Sequence, residues 1–166
     1  MKKLLPLLLL VPTMALAADK SPDANFYESA AHGGIAEVEM GKLAQEKAQS
    51  KAVKDFGAMM VKDHSAANDK LKAIATKKGI ELPTKPSIAQ MATKTKLQVL
   101  SGETFDKSYV RTMVDDHVKD IAEFEKEARG GKDAEAKAFA TATLPTLREH
   151  LKHIREVATA TGVKLD

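Results

Sequence analysis

Two histidines in this chain stand where leucines would be expected. Met60-Val61-Lys62-Asp63-His64 returns 53 residues later as Met113-Val114-Asp115-Asp116-His117, with four of five positions identical. The same offset pairs Phe56 with Tyr109 and Leu71 with Phe124. In each copy the apolar residues recur every three or four positions, the period of an amphipathic helix. One line runs Val53, Gly57, Met60, His64, Ala67, Leu71, Ile74, and the other Tyr109, Met113, His117, Ile121, Phe124, Ala128. Glu37 interrupts a third line, of small residues: Ala30, Gly34, Gly41, Ala44, Ala48. His150 lies at the margin of a fourth, formed by Ala140, Thr143, Leu147, Leu151 and Ile154.

Two chemistries fit these positions. The first is a metal-free polar cluster in which Glu37, His64 and His117 hydrogen-bond one another, satisfying buried polar groups and fixing helix register. The alternative is a single transition-metal ion held by Glu37, His64 and His117, with His150 as a fourth ligand. Imidazole and carboxylate from facing helices suit Zn, Fe, Mn or Cu. A neutral imidazole coordinates through one nitrogen and offers the other N–H to an acceptor. Asp63, Asp116 or Asp120 could be that acceptor, but only for a histidine on a neighbouring helix, because successive side chains on one helix point about 100° apart.

The spacing argues against a di-iron centre, which requires Glu-x-x-His on two helices. The nearest run, Glu149-His150-Leu151-Lys152-His153, is spaced differently. Depth argues against His150, which lies 20 residues after Gly130 while His117 lies 13 before it. Seven residues of helix is ~10 Å, too far for a shared ion unless the helices are offset or Pro145 redirects the chain. His32 and His153 each follow a glutamate by four residues (Glu28, Glu149) and read as surface pairs. Met40, Met59, Met60, Met91 and Met113 read as core filling rather than soft-metal ligands. No nucleophile–base spacing stands out and helices offer no ready oxyanion hole, so the reading leans away from an enzyme.

The elements that must position these residues follow from the chain's punctuation. Lys2 and Lys3, an apolar stretch from Leu4 to Met14, and Ala15-Leu16-Ala17 form a secretory signal peptide with cleavage after Ala17. The stretch is too short for a membrane span. A periplasmic destination is expected, and the absence of cysteine means that no disulfide supports the fold. Of 26 basic residues, Lys2 and Lys3 leave with the leader, so the mature chain sets 24 against 23 acidic. These charges are spread along the sequence, which excludes a nucleic-acid footprint.

After a lead-in over residues 18–24, one domain over 25–162 is expected. Ser21 caps a first helix that has Pro22 at its first position and runs to about Gln49. Gly33-Gly34 within it implies a close neighbour or a bend. Ser50 opens a second helix that ends at Gly79. Ser87 with Gln90 forms a capping box for a short helix ending near Gly102. A third long helix covers about Thr104 to Arg129, and a fourth runs from Asp133 to Gly162 with a kink at Pro145. The first two helices are antiparallel neighbours, which sets Glu37 and His64 facing each other. The connection from Ile80 to Glu103 is long enough to return the next helix parallel to the second. The expected fold is therefore an all-α, ferritin-like four-helix bundle with a long crossover that contains a short helix.

Several runs resemble a known bacterial exported family, domain of unknown function 4142: Gly33-Gly34-Ile35-Ala36-Glu37-Val38-Glu39; Met60 to His64 with Asn68; Met113 to His117 with Asp120; and Leu144-Pro145-Thr146-Leu147-Arg148-Glu149-His150-Leu151. The likeness extends from about Asn25 to Val157. It implies a ferritin-like bundle and, from a label common in that family, an association with the outer membrane. It implies no defined activity. The function expected is a binding, structural or stress-related envelope protein with a buried Glu/His cluster; a mononuclear metal-binding or redox protein is the alternative.

Overall fold

The computed structural model describes residues 22–165; the leader, its cleavage point and the Ser21 cap lie outside the described residues. Five helices follow in order: α1 Pro22–Lys47, α2 Lys51–Lys78, α3 Ile88–Gln98, α4 Gly102–Gly130 and α5 Ala134–Ala160. The four long ones form the bundle, and α3 lies in the crossover between α2 and α4. Around the bundle α1 packs on α2 and α4, and α5 on α4 and α2.

The helix ends carry the punctuation the sequence suggests, with one substitution of partner. Gly79 closes α2 at φ 66°, a conformation that favours glycine. The Ser87–Gln90 capping box is formed, and Asp133 Oδ1 accepts from the backbone N–H groups of Glu135 and Ala136. Ser50 occupies the cap position of α2, but its hydroxyl makes no capping bond. The acceptor there is the Asp106 carboxylate, which takes the N–H groups of Gln49 at 3.0 Å and Ser50 at 2.8 Å. This bond sets the start of α4 beside the start of α2, so the two helices run parallel, as a long crossover requires. The α4 helix also starts two residues earlier than the apolar pattern indicates and includes Gly130. The α5 helix continues unbroken through Pro145.

Close approach occurs at a different glycine pair from the expected one. A Cβ on Gly41 would meet the Gly57 carbonyl oxygen at 2.7 Å, and one on Gly57 would meet the Gly41 oxygen at the same distance. There α1 and α2 touch backbone to backbone. Gly34 instead leaves room for the Asn68 side chain, which a Cβ would overlap.

The core has two apolar halves. One gathers Met40, Phe56, Met60, Tyr109, Met113 and Ile154; the other gathers Phe26, Leu71, Phe124, Phe139 and Leu147. Between them lies a polar layer to which each long helix contributes one buried side chain: Glu37, His64, His117 and His150.

Candidate metal centre

Three of the four layer residues converge. His64, His117 and His150 each offer a ring nitrogen, and the three atoms lie within 4.8 Å of one another. Ring centroids are 5.8 Å apart for His64–His117 and 5.4 Å for each of the other pairs. Phe56 meets His117 and His150 edge-on from the apolar side, at 6.2 and 6.5 Å.

The outer nitrogen of two rings is committed. His117 Nδ1–H donates to the Met113 carbonyl one turn back, at 2.9 Å. His150 Nε2–H donates to Asp63 Oδ2 on α2, at 3.0 Å. A backbone carbonyl and a carboxylate can only accept, so these bonds fix both tautomers. The inner atoms, His117 Nε2 and His150 Nδ1, then face each other as bare lone pairs 3.4 Å apart. His64 Nε2 is also buried with no hydrogen-bond partner.

No proton is readily held here. Burial, reinforced by His117 and His150, pushes His64 well below the ordinary imidazole range. Burial and the nearby His150 bring His117 down to about 4 against the pull of its Met113 bond. Burial also lowers His150, with Asp63 opposing. Near neutral pH the centre therefore consists of three neutral imidazoles, the protonation state of a metal ligand.

Glu37 stands outside this triangle. Its Oε1 lies 3.9 Å from His117 Nδ1, whose proton is already given to Met113. That is too long for a hydrogen bond, so the expected mutual bonding of Glu37, His64 and His117 is not formed. Burial, then Asp120 and Asp116, raise the Glu37 carboxyl well above the usual range.

His150, by contrast, reaches the centre that the depth count denied it. His117 lies 13 residues before the last residue of α4, and His150 lies 16 after the first residue of α5. The remaining offset of three residues, ~4.5 Å, is spanned by the two rings. The count from Gly130 had taken the inter-helix turn as helix. Asp63 is the acceptor on a neighbouring helix that the 100° argument required. Of the histidines in the surface pairs, His32 donates its Nδ1–H to the Lys85 carbonyl at 2.7 Å. Met40, Met60 and Met113 are buried in the core as expected, whereas Met91 is exposed.

Two crevices that periodicity did not reveal adjoin the centre. A narrow one of about 30 Å³ is lined by His64, Asn68, Gly33, Asp120 and Glu123. A wider, more open one of about 370 Å³, between α1, α3 and α4, is lined by Glu37, His32, Asp116, Asp120 and Glu123.

Residues 11–157 match the family described as a domain of unknown function, DUF4142. The chain belongs to that family. No curated protein matches this DUF4142 chain in sequence. Solved structures share its fold at low identity. A DUF305 protein from Streptomyces coelicolor superposes with a TM-score of 0.74 at 14% identity, covering 88% of this chain and 97% of that one. A DUF305 fragment from Deinococcus radiodurans gives 0.74 at 13%, covering 85% and 97%. CopM in its Cu(I)-bound form gives 0.69 at 12%, covering 85% and 98%, and its Cu(II)-bound form 0.67 at 14%, covering 83% and 96%. These likenesses establish the ferritin-like helical fold of the DUF4142 chain.

Proposed function

We propose that this DUF4142 protein is an exported metal-binding protein that holds one transition-metal ion on His64, His117 and His150. One observation carries the reading. The inner nitrogens of His117 and His150 face each other at 3.4 Å while both outer nitrogens already donate, so neither ring has a proton for the other. Two lone pairs at that distance repel unless a cation lies between them. Ligands at 2.0–2.1 Å in a tetrahedral site stand roughly 3.4 Å apart, so this pair is already spaced as two ligands of one ion. His64, with a buried and unpartnered Nε2, supplies the third. Three imidazoles leave a position open for water or an exchanging ligand.

Copper is the ion to test first. Imidazole suits copper and zinc, and copper(II) stands highest in the divalent affinity order. CopM, which has the same fold, is known with copper bound in both oxidation states. The leader at residues 1–17 directs the chain to the periplasm in this reading, and the mature protein begins at Ala18. No described helix is long and apolar enough to cross a membrane. A metal-free cluster is the second reading, but it leaves the His117–His150 pair without a shared proton near neutral pH.

The test is metal content by mass spectrometry on untagged protein taken from the periplasm, with N-terminal sequencing alongside. We expect close to one equivalent of copper in the wild type and under a tenth of that in His64→Ala, His117→Ala and His150→Ala. Wild-type protein that stays empty after reconstitution with Cu(I), Cu(II) and Zn(II) would overturn the assignment.

A further inference from the structure

Resting on that reading, we infer that the acidic crevice between α1, α3 and α4 is the route by which the ion reaches the three histidines. The two crevices adjoin and share a wall: Ser29, Gly33, Asp120 and Glu123 line both. The wider one opens to solvent and carries Asp116, Asp120 and Glu123 against Lys119, with the buried Glu37 on its wall. His64 lines the narrower one. A cation drawn into the wide mouth, where His32 also lies, thus passes Asp120 and Glu123 before it meets His64.

Two buried groups along this path lack partners. Glu37, 2% exposed, lines the wide crevice and has an unbonded Oε2, and His64, 6% exposed, lines the narrow one with an unbonded Nε2. A solvated acidic surface would not leave polar atoms stranded at nine-tenths burial. The side away from the crevice is closed, because Phe56 packs edge-on against His117 and His150. The wall at Gly33 is open, since a Cβ there would have only Gln90 near it, at 3.9 Å. The carboxylates are spread along the crevice rather than gathered on one point, as suits attraction and hand-over rather than a second tight site. Clefts of one charge sign between low-dielectric walls raise association rates of opposite ions by about 10- to 1,000-fold, and the gain falls with ionic strength.

The experiment is stopped-flow loading of the full mature protein with Cu(II), followed by quenching of tyrosine fluorescence. Both tyrosines are buried, and Tyr109 lies on the helix that carries His117. We expect the wild-type loading rate to fall several-fold as salt is raised. We expect the Asp120→Asn/Glu123→Gln double variant to load at least tenfold more slowly, with a flattened salt dependence and an unchanged final stoichiometry. Thermal melts of the apo forms guard against a folding defect, and the wild-type salt series needs no variant. A double variant that loads at the wild-type rate, or a wild-type rate indifferent to salt, would overturn the route while leaving the histidine site standing. Wild-type protein that binds no Cu(II) at equilibrium would remove both.

Discussion

Asp63 and Glu37 flank the same three imidazoles and act on them differently. Asp63 accepts the outer proton of His150 across two helices, which fixes the tautomer and makes Nδ1 the better donor to a metal. Asp63→Asn keeps an acceptor but loses the negative charge, so copper affinity should fall about 10- to 100-fold with folding unchanged; competition against a chelator of known affinity measures this. Glu37 Oε1 stands 3.9 Å from an imidazole nitrogen whose proton is already placed. Glu37→Gln should therefore retain one equivalent of copper at undiminished affinity. Loss of metal in Glu37→Gln would restore the carboxylate to the ligand set and displace the three-histidine centre argued above.

At the scale of the helices, the polar layer survives because the elements around it are held rigidly. The α1 and α2 helices approach backbone to backbone at Gly41 and Gly57, next to the apolar half that contains Ala44 and Met60. A Cβ at Gly57 would lie 2.7 Å from the Gly41 oxygen and 2.8 Å from the Ala44 Cβ. Since backbone must move to admit it, Gly57→Ala should cost about 1–3 kcal/mol despite the helix-propensity gain of about 1 kcal/mol. Gly130→Ala, with nothing within 4 Å of the added carbon, should be neutral or slightly stabilising. Urea denaturation of the two variants side by side tests the contrast. The same rigidity lets one buried side chain from each of four helices meet at one level between two apolar halves.

At the scale of the whole molecule, the acidic crevice is a source of instability that depends on pH. Burial first, then Asp116 and Glu123, raise the Asp120 carboxyl to about 7. Between about pH 4 and that value the folded chain holds a proton that the unfolded chain has released. Stability must therefore fall as pH rises through this window, and the penalty is complete above it. Asp120→Asn removes the penalty. It should stabilise the apo protein by roughly 1–2 kcal/mol at pH 8, and by almost nothing at pH 4, as read from denaturation curves at both values. An equal effect at the two pH values would show that the carboxyl is not held neutral by its surroundings. Residues that weaken the fold yet line the way to a binding site fit a function in loading better than one in folding.

Much of this was legible in the chain itself. The period of the apolar residues, the glycine and proline punctuation and the Ser87–Gln90 box set the number, order and direction of the helices, because these depend on neighbours within a few residues. The repeated phrase marked His64 and His117 as anomalous for the same reason: a polar residue on an apolar line is visible locally. The partners of those residues were not legible. Whether His150 meets His117 depends on where the α4–α5 turn begins, and an error of a few residues there is several ångströms at the site. Whether Glu37 is a ligand depends on which acceptor captures one imidazole proton, and the backbone of Met113 is closer. The wall shared by the two crevices brings Ser29 and Gly33 on α1 to Asp120 and Glu123 on α4, two pairs that no sequence period connects. Sequence determined which helices form and which faces are buried; only tertiary packing decided which of the buried polar atoms meet.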